Sequence, residues 1–438
     1  MEKLETKDYK LVKVYDKKYV FLTGSQDVLE IQNHLLEEYF DSTCSLNVNA
    51  TYEEKFDELT SALIAKRDRV HIREEPEAIP QQVMLTLNTT HACNMACRYC
   101  FAFSKSKQFK PMSTHIAEKA IKNLLMDFPE TKRYLFYFFG GEPLLCKDFI
   151  RETARIVESI FKEYPGKEFT FLLNTNGLLL NDKDLLAFFK QKDFAITVSI
   201  DGPQEVNDQN RLLKSGQGSF KHILANIEVL KQAGIKLNLR ATISPRNQNL
   251  LNTFRFFENL AIPYAYAFTI SASEKDEKET KMNQGTWVRT QQEYQQVFDF
   301  LTDKLLRKEE VFNMDFKQKL SILNQKTIRT HGCEAGRASF LVDELGRYFA
   351  CQNMLPYQAC IGELENGIVS SLRDRYKSQF VSELKDCQQC WVRYLCGGGC
   401  QTERIFFNAS SQSMYCDISR FEWEQILLAH IKSKANKN

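Results

Sequence analysis

Three cysteines lie within a span of eight residues in this chain. Cys93, Cys97 and Cys100 form a C-x3-C-x2-C array directly after an apolar run, residues 83–87, that is typical of a buried strand. Thiolates this close in sequence can converge on one metal centre. A four-iron cluster ordinarily takes four Cys ligands, but the next cysteine, Cys146, comes forty-six residues later. The array therefore predicts a [4Fe–4S] cluster with three irons held by protein and one left open.

Composition and charge exclude several classes of protein. With 438 residues, the chain is long enough for roughly two to three domains. Its formal net charge of +2 gives no reason to expect nucleic acid or an anionic membrane as a partner. No apolar run approaches the ~20 residues that a membrane helix needs, and the first residues lack the apolar core of a signal peptide. We therefore expect a cytoplasmic protein.

The distribution of the thirteen cysteines also indicates metal binding. In a reducing compartment, closely spaced cysteines indicate metal ligands rather than disulfides. Beyond the first array, eight cysteines fall between Cys333 and Cys416. The two that remain, Cys44 and Cys146, are predicted to be core thiols. The chain thus has two cysteine-rich regions, which we interpret as separate metal sites.

The first eighty residues suggest a small unit of their own. Residues 9–22 predict a hairpin, and Ser25 and Asp27 could cap a helix over residues 28–40. A second helix is predicted from Tyr52 to Ile64. Together these elements suggest a winged-helix-like unit. It could be a structural lid on the main domain or a peptide-docking module that adds a substrate strand to its sheet.

From Gln82 onward, short apolar strands alternate with amphipathic helices. Strands are predicted at residues 83–88, 134–139, 169–174, 195–200, 236–243 and 264–269. Helices are predicted at residues 114–128, 147–164, 183–191, 219–233, 247–260, 286–308 and 315–325. Connections of this length suit parallel crossovers, and six strands favour an α/β partial (β/α)6 barrel. In such a barrel the chemistry gathers at the carboxyl ends of the strands.

Polar and glycine-rich segments stand at those strand ends. The cysteine array follows the first strand, and the second strand ends in Gly140-Gly-Glu-Pro143. The third ends in residues 174–177 (Asn-Thr-Asn-Gly) and the fourth in residues 199–203 (Ser-Ile-Asp-Gly-Pro). Glycines there let a ligand approach the backbone closely. One such segment would be a weak signal, but four at one edge of a sheet predict a binding site.

This combination resembles a radical S-adenosylmethionine (radical SAM) enzyme. The resemblance lies in the cysteine array, here followed by Phe101, and in the turn from Gly140 to Pro143. It implies a [4Fe–4S] cluster whose open iron chelates the amino and carboxylate groups of SAM. One electron from the cluster would break a carbon–sulfur bond and yield a 5′-deoxyadenosyl radical. The protein would position the reactants and exclude water.

The resemblance also implies which residues bind SAM. The turn that begins at Gly140 would contact the methionyl amino group. Ser199 and Arg211 would hold the carboxylate, which arginine can bind in bidentate fashion, and Asn176 and Asp201 would lie near the nucleoside. The candidate cofactor-binding residues are Phe101, Gly140, Gly141, Glu142, Pro143, Asn176, Ser199, Asp201 and Arg211. No general base is assigned.

A zinc site is the competing interpretation of the first array. His91 with the three cysteines would give a Cys3His ligand set of generally acceptable spacing. That interpretation explains neither the turn at Gly140 nor Arg211, and a structural zinc would not need a barrel around it. His91 is therefore expected to face the core or to cap the loop.

The C-terminal third carries a second cysteine pattern. Cys333-x12-Gly346-x4-Cys351 is followed, after a gap, by Cys387-x2-Cys390-x5-Cys396-x3-Cys400-x15-Cys416. Seven cysteines in this order resemble the SPASM extension of peptide-modifying radical SAM enzymes, which implies auxiliary iron–sulfur clusters, commonly two. By that resemblance, the ligands of the outer cluster are Cys387, Cys390, Cys396 and Cys416, and those of the inner cluster are Cys333, Cys351 and Cys400. A zinc ribbon would explain the first two of the outer set, but not seven cysteines in register.

The sequence leaves the fourth ligand of the inner cluster open. Cys360 lies nine residues after Cys351 and could fill this place. Alternatively, Cys360 is an ordinary loop thiol and the vacant iron accepts a thiolate from the substrate, because iron–sulfur clusters favour soft ligands. The second alternative would let the enzyme hold a peptide cysteine.

Together these parts predict a maturase of ribosomally made peptides. Sulfatase-maturing relatives carry Asp directly after the second SPASM cysteine, whereas Gln352 follows Cys351 here, which argues against sulfatase maturation. The N-terminal unit resembles a precursor-recognition element, and its grip on a leader peptide would raise the effective concentration of the core peptide. Residues 169–211 and 387–399 resemble maturases of cysteine-rich peptides, which form thioethers. A flavodoxin or ferredoxin would donate the electron.

We accordingly expect three domains, with residues 1–80 for precursor recognition, 81–310 for the partial barrel and 311–438 for the SPASM extension. The predicted reaction abstracts a hydrogen from a peptide carbon, bonds a neighbouring cysteine sulfur to that carbon, and passes the surplus electron to an auxiliary cluster. Carbon–carbon or carbon–oxygen cross-links and epimerisation are alternatives within the class. A non-catalytic iron–sulfur scaffold is the alternative outside it, although an electron carrier needs no SAM pocket.

Overall fold

The computed structural model of the chain describes residues 8–32, 79–100, 110–247, 249–269, 282–377, 380–406 and 409–436. The predicted helix at 52–64, the larger part of the helix predicted at 28–40, Cys44 and Phe101 lie outside these ranges.

The strands are β1 (Tyr9–Val14), β2 (Lys17–Leu22), β3 (Val28–Ile31), β4 (Gln82–Asn88), β5 (Arg133–Phe139), β6 (Glu168–Thr175), β7 (Ala195–Ser199), β8 (Lys236–Ile243), β9 (Tyr264–Phe268), β10 (Ser339–Val342), β11 (Arg347–Phe349), β12 (Cys360–Glu363) and β13 (Gly367–Ile368). The helices are α1 (Thr114–Asp127), α2 (Lys147–Phe161), α3 (Lys183–Gln191), α4 (Gln204–Asn210), α5 (Phe220–Ala233), α6 (Leu250–Leu260), α7 (Gln284–Leu306), α8 (Met314–Gln325), α9 (Ser370–Lys377), α10 (Lys385–Gln388), α11 (Arg393–Cys396), α12 (Gln401–Phe406) and α13 (Ala409–Ala435). Short 3-10 helices span Pro143–Cys146 and Gln352–Tyr357.

A ten-stranded sheet forms the centre of the described structure. Its order is β13-β12-β11-β10-β4-β5-β6-β7-β8-β9, and β4 to β9 pair in parallel with their immediate neighbours. Helices connect these six strands, as crossovers between parallel strands require. The predicted α/β partial barrel is confirmed, with strand ends within two residues of the predicted positions.

Each central strand buries alternate residues against the helices. In β5, Phe136 packs on Phe161 of α2 with ring centroids 5.8 Å apart, and Phe138 packs on Phe149 at 6.4 Å. Because side chains alternate along a strand, Tyr137 points to the opposite face of the sheet. We call that opposite face the inner face of the barrel.

The C-terminal hairpin of β10 and β11 continues the same sheet. β10 pairs in parallel with β4, with Ser339 opposite Met84 and Val342 opposite Leu87. The meander β10-β11-β12-β13 is antiparallel. The sequence did not predict this pairing, which joins segments more than 250 residues apart and places the second cysteine region beside the strand that leads into the first.

The N-terminal hairpin is confirmed and extended by a third strand. β1 pairs with β2, and β2 with β3, all antiparallel. This small sheet contacts the C-terminal region, where Phe21 packs on Trp391 with ring centroids 5.9 Å apart and Lys10 forms a 2.9 Å salt bridge to Glu424.

The predicted helix over residues 28–40 is wrong at its start. Residues 28–31 form β3, with Phe21 opposite Val28 and Lys18 opposite Ile31. In so short a segment, the spacing of the apolar residues fits either a helix or a strand. Pairing with β2 favours the strand, because it gives the backbone N–H and C=O groups hydrogen-bond partners. Ser25 therefore does not cap a helix; its hydroxyl accepts a hydrogen bond from the Asp27 amide at 3.4 Å in the turn before β3.

None of the helices in the described ranges has both the length and the hydropathy needed to cross a bilayer.

Candidate active site and cysteine clusters

The first cysteine array lies in a loop at the carboxyl end of β4, held from two sides. On one side, the amides of Gly141 and Glu142 donate to the carbonyls of Thr90 and Ala92 at 2.7 and 2.8 Å. On the other side, the amide of Ala96 donates to Leu212 at 2.8 Å, and that of Arg98 donates to Asn210 at 3.0 Å. The loop is therefore fixed between the Gly-Gly-Glu-Pro turn and the segment that carries Arg211.

The two glycines of the turn are required by this backbone contact. Gly140 has φ of +140°, a conformation that L side chains rarely adopt. A Cβ at Gly140 would overlap the carbonyl oxygen of Thr90, and one at Gly141 would overlap that of Ala92. The sequence predicted close approach of a ligand, whereas the structure shows close approach of the cysteine loop itself.

The three thiols of the array are close enough to influence one another. Burial raises the pKa of Cys97 to about 12, with smaller contributions from Cys100 and Cys93 that also raise it. Burial likewise raises the pKa of Cys93. The Sγ of Cys93 lies 3.4 Å from the amide of Met95 and 3.7 Å from the Nδ2 of Asn176. The array is thus a half-buried group of thiols with hydrogen-bond donors around the first of them.

The donor set of the first array suits an iron–sulfur cluster. The three side chains offer sulfur alone, which is the donor that iron–sulfur clusters prefer.

His91 does not join the thiols as a zinc ligand would. Its Nε2 lies 3.2 Å from Glu344 and 3.1 Å from the Nδ2 of Asn88. The hydrogen bond with Glu344 raises the pKa of His91. The imidazole therefore links the loop to the segment after β10, in keeping with the predicted capping role and not with a Cys3His site.

Arg211 lies under the loop in a buried polar chain. Its Nη1 donates to the hydroxyl of Tyr99 at 2.9 Å, and that hydroxyl donates to the Oδ2 of Asp201 at 2.7 Å. Arg211 is 5% exposed and Asp201 fully buried. The Nε of Arg211 is buried without a hydrogen-bond partner among the described residues. A buried guanidinium with an unused donor is suited to a carboxylate, as the resemblance implies for SAM.

Tyr99 was not predicted as a site residue, although it stands between the second and third cysteines. Burial raises its pKa well above the ordinary value, so its hydroxyl stays protonated and can donate to Asp201. Asp201 also accepts from the amide of Thr242 at 3.0 Å. Tyr99 thus connects the cysteine loop to the residues predicted to bind SAM.

We expect Tyr99→Phe to weaken SAM binding by about tenfold, because one buried hydrogen bond to each of two charged groups is lost. Calorimetric titration of SAM into the holoprotein measures this. Tyr348→Phe is the matched control, since it removes another buried hydroxyl, that of Tyr348 on β11, which accepts a hydrogen bond from Asn123 of α1 at 3.1 Å. Equal SAM affinity of Tyr99→Phe and wild type would show that Arg211 needs no such support.

The side chain of Glu142 is occupied by protein groups. Its Oε1 accepts from the hydroxyl of Thr175 at 2.7 Å and from the amide of Leu144 at 3.0 Å, and its Oε2 accepts from the amide of Asn176 at 2.7 Å. Burial raises the pKa of this fully buried carboxyl, against the effect of these donors. Glu142 therefore ties the turn to the end of β6.

The other candidate residues lie around this centre. Asn176 donates to the Oδ1 of Asn94 at 2.7 Å, which places its amide beside the first cysteine. Pro143 is buried at the start of a 3-10 helix. Ser199 is the half-buried last residue of β7, on the inner face. Cys146 is half-buried and hydrogen-bonded to Thr90, consistent with a core thiol.

The outer cysteine group of the C-terminal region also comes together. Burial raises the pKa of Cys416 to about 11, and Cys396, Cys387 and Cys390 raise it further. Three unpredicted donors contact sulfurs of this group: Arg404 reaches Cys387 at 3.5 Å, Ser419 reaches Cys396 at 3.3 Å, and Arg420 is hydrogen-bonded to Cys390. Hydrogen bonds to ligating sulfurs are one means by which proteins set cluster potentials.

The inner group converges through backbone contacts. A Cβ at Gly332 would overlap the carbonyl oxygen of Gly399, so the segments that carry Cys333 and Cys400 lie side by side. The Sγ of Cys351 lies 3.3 Å from the Oγ1 of Thr402, two residues after Cys400. Burial raises the pKa of Cys351, and the neighbouring Cys333 adds to this effect.

Cys360 lies close to the inner group. It is the first residue of β12 and pairs with Phe349, two residues before Cys351, next to a register shift in the β11–β12 ladder. The buried ring of Tyr376 is near both thiols: burial raises its pKa, and Cys351 and Cys360 contribute. The topology therefore places Cys360 beside Cys351.

Comparison with known proteins agrees with this geometry. Residues 87–256 match the model of the Radical SAM superfamily. A cysteine-type anaerobic sulfatase-maturating enzyme of Clostridium novyi is 25% identical over 361 residues, which cover 76% of this chain and 92% of that protein.

Two solved structures share the fold. Native anSMEcpe with bound AdoMet and Cp18Cys peptide matches with a TM-score of 0.69 and 20% identity over 82% of this chain and 100% of that one. Streptococcus suis SuiB bound to precursor peptide SuiA matches with a TM-score of 0.54 and 13% identity over 94% and 98% of the respective chains. The cysteine-rich C-terminal region of the present chain fits a SPASM extension. The chain therefore carries a radical SAM domain, as its motifs predicted, and is homologous to the anaerobic sulfatase-maturating enzymes.

Proposed function

We propose that this chain is a radical SAM maturase that forms a cysteine thioether in a ribosomally made precursor peptide. The observation that carries the proposal is the presence of three separate thiol groups, one at the mouth of the barrel and two in the C-terminal region. Oxidative coupling of a thiol to carbon needs a radical initiator and an acceptor for the surplus electron. Homologous maturases and the two peptide-bound structures of the same fold support a peptide or protein substrate.

Different residues at the mouth of the barrel are proposed to bind the cluster and SAM. When bound, a [4Fe–4S] cluster and SAM supply a 5′-deoxyadenosyl radical for hydrogen abstraction. Cys93, Cys97 and Cys100 hold the cluster. Arg211 uses its spare Nε, together with Ser199, to receive the carboxylate of SAM. The turn at Gly140 presents backbone groups to the amino group.

The outer C-terminal thiol group completes a four-sulfur set for an auxiliary cluster. Cys387, Cys390, Cys396 and Cys416 hold it, while Arg404 and the neighbouring donors stabilise negative charge on sulfur. Such donors favour the reduced state of a cluster. This region is therefore suited to accept the electron released when sulfur bonds to carbon.

We propose further that Cys360 completes the inner ligand set with Cys333, Cys351 and Cys400. Its place on β12 beside Phe349 supports this assignment, as does the shared neighbour Tyr376. With Cys360 as the fourth ligand, no iron of the inner cluster would be open in the resting protein, and a substrate thiolate could not bind there.

Cys360→Ala should open one coordination site without loss of iron. Added 2-mercaptoethanol is then expected to change the electron paramagnetic resonance signal of the reduced variant, but not that of wild type. Cys146→Ser is the control, because Cys146 is also half-buried but lies outside both cysteine regions. A wild-type signal that responds to the thiol as strongly as the variant's would instead favour an open site.

The N-terminal sheet is proposed to hold the leader part of the precursor. Its three antiparallel strands contact the C-terminal region through Phe21 and Lys10. A leader bound there would keep the core peptide tethered near the barrel and so raise its effective concentration. A small electron-transfer protein of the flavodoxin or ferredoxin class would supply the electron.

The decisive experiment uses anaerobically reconstituted protein with SAM, dithionite and any short cysteine-rich peptide found to be encoded near its gene. We expect release of 5′-deoxyadenosine, a peptide lighter by two hydrogens, and one thiol lost to alkylation for each cross-link. A non-catalytic scaffold would release no 5′-deoxyadenosine. A product whose thiols can all still be alkylated would exclude a thioether and leave another cross-link or epimerisation.

Sulfatase maturation is the second candidate, because the C. novyi relative with that name aligns over 76% of this chain. Gln352 follows Cys351 at the start of a 3-10 helix and offers an amide in place of the carboxylate base of that group. An amide cannot accept a proton at neutral pH. We therefore expect no modification of a cysteine-type sulfatase peptide under conditions that release 5′-deoxyadenosine.

A further inference from the structure

One arginine on the inner face of the barrel has no role in the proposed function. Arg240 lies in the middle of β8, between the buried residues Leu239 and Ala241. Because side chains alternate along a strand, Arg240 points away from the helices and into the barrel, and it is half-buried there.

The position of Arg240 along its strand places it near the reacting centre. In the β7–β8 ladder it is the partner of Ser199, the last residue of β7. On its other side it pairs with Ala265 of β9, whose small side chain leaves room above the sheet. Its carbonyl accepts from the amide of Ile200 at 3.0 Å, which fixes the backbone at this height.

Tyr137 of β5 faces the same space. Burial raises the pKa of Tyr137 to about 12, and the charge of Arg240 acts in the opposite direction. Tyr137 and Arg240 each stand between two buried residues of their strands, so both side chains project from the inner face. Tyr137 stays protonated at neutral pH and offers an O–H donor on this face.

The charge of Arg240 is not cancelled by a salt bridge to another described residue. Asp315, at the start of α8, is within electrostatic reach, but burial and Lys319 affect its pKa more strongly than Arg240 does. Its Oδ2 accepts from the amide of Tyr266 at 3.0 Å. SAM has a single carboxylate, for which Arg211 already has a spare donor.

We infer that Arg240 and Tyr137 form a carboxylate-binding subsite for the substrate, so that a peptide with Asp or Glu near the modified residue is preferred. The inference rests on the proposed peptide substrate and adds a specificity rule to it. A guanidinium binds a carboxylate through two parallel hydrogen bonds, and the phenol supplies a third donor. The cavity would thus fix one acidic side chain while the neighbouring carbon is presented to the radical.

The test is selection from a random peptide library, displayed on its encoding nucleic acid, by holoprotein with SAM under anaerobic conditions. Wild type should enrich Asp or Glu at one position by about tenfold, the value of one charge-assisted hydrogen-bonded contact. Arg240→Glu should enrich Lys or Arg there, and Arg240→Gln should lose the preference. Arg133→Glu is the matched control, because this exposed arginine lies at the opposite end of β5.

The outcomes separate this inference from the proposed function. Peptides retained by wild type without an acidic preference, or an acidic preference unchanged in both Arg240 variants, would overturn the subsite alone. No retained peptide, with SAM binding intact, would overturn the peptide substrate and the subsite together. Tenfold weaker SAM binding by Arg240→Gln would assign the guanidinium to the cofactor instead and overturn the inference.

Discussion

Cys97→Ala is expected to abolish the release of 5′-deoxyadenosine, with a loss on the order of 10³-fold or more, since groups that act as a unit lose nearly everything when one is removed. Burial raises the pKa of Cys97 to about 12, so its sulfur is costly to ionise without a metal. Iron analysis should show a loss of about four irons per chain, because the C-terminal cysteines are separate.

Cys146→Ser provides the comparison for this loss. Cys146 is hydrogen-bonded to Thr90 near the same loop, and serine retains that bond. Its iron content and 5′-deoxyadenosine release should match wild type. If Cys97→Ala kept both its iron and its turnover, the first array would not be the initiating centre.

Gly141→Ala should reduce SAM cleavage by about 10²-fold, the usual result of displacing a catalytic group by about an ångström. The new methyl group would overlap backbone atoms of His91 and Ala92, which cannot rotate away as a side chain could. The loop that carries the cysteines must shift instead. We also expect a loss of about 1–3 kcal/mol in the free energy of unfolding, as for other overpacked sites.

Gly285→Ala is the matched control for this substitution. Gly285 lies in the first turn of α7, where an added Cβ would make one contact at 3.5 Å, an ordinary distance. Alanine there should raise the free energy of unfolding by roughly 0.5–1 kcal/mol and leave SAM cleavage unchanged. Full activity of Gly141→Ala would show that the loop tolerates displacement from the turn.

The repeating part of the barrel was predictable because its pattern is local. Strands such as β8 alternate buried and open residues, and helices such as α3 begin at an N-cap, Asp182, whose side chain accepts from Leu185. These signals lie within a few residues of one another. The pairing of β10 with β4 carries no such signal, because it depends on two distant segments meeting.

The grouping of the cysteines was predictable from the sequence, whereas the residues that support them were not. The spacing of Cys93, Cys97 and Cys100 identified the array, since the family pattern is local. The bridge from Tyr99 to Arg211 and Asp201 joins three separate segments, and a sequence pattern contains no distances between segments. For the same reason, the contact between Arg404 and Cys387 could not be predicted from the sequence.

The shared sheet has a consequence for cutting the chain into parts. A fragment that ended before Ser339 would strip the outer edge of β4, where Met84 now donates to the carbonyl of Ala338 at 2.8 Å. The bared edge belongs to an apolar strand, Gln-Val-Met-Leu-Thr-Leu-Asn, of the kind that recruits strands from other molecules and aggregates. The isolated barrel should therefore aggregate. Shortened forms of the protein should stay most soluble if they retain the β10–β13 meander.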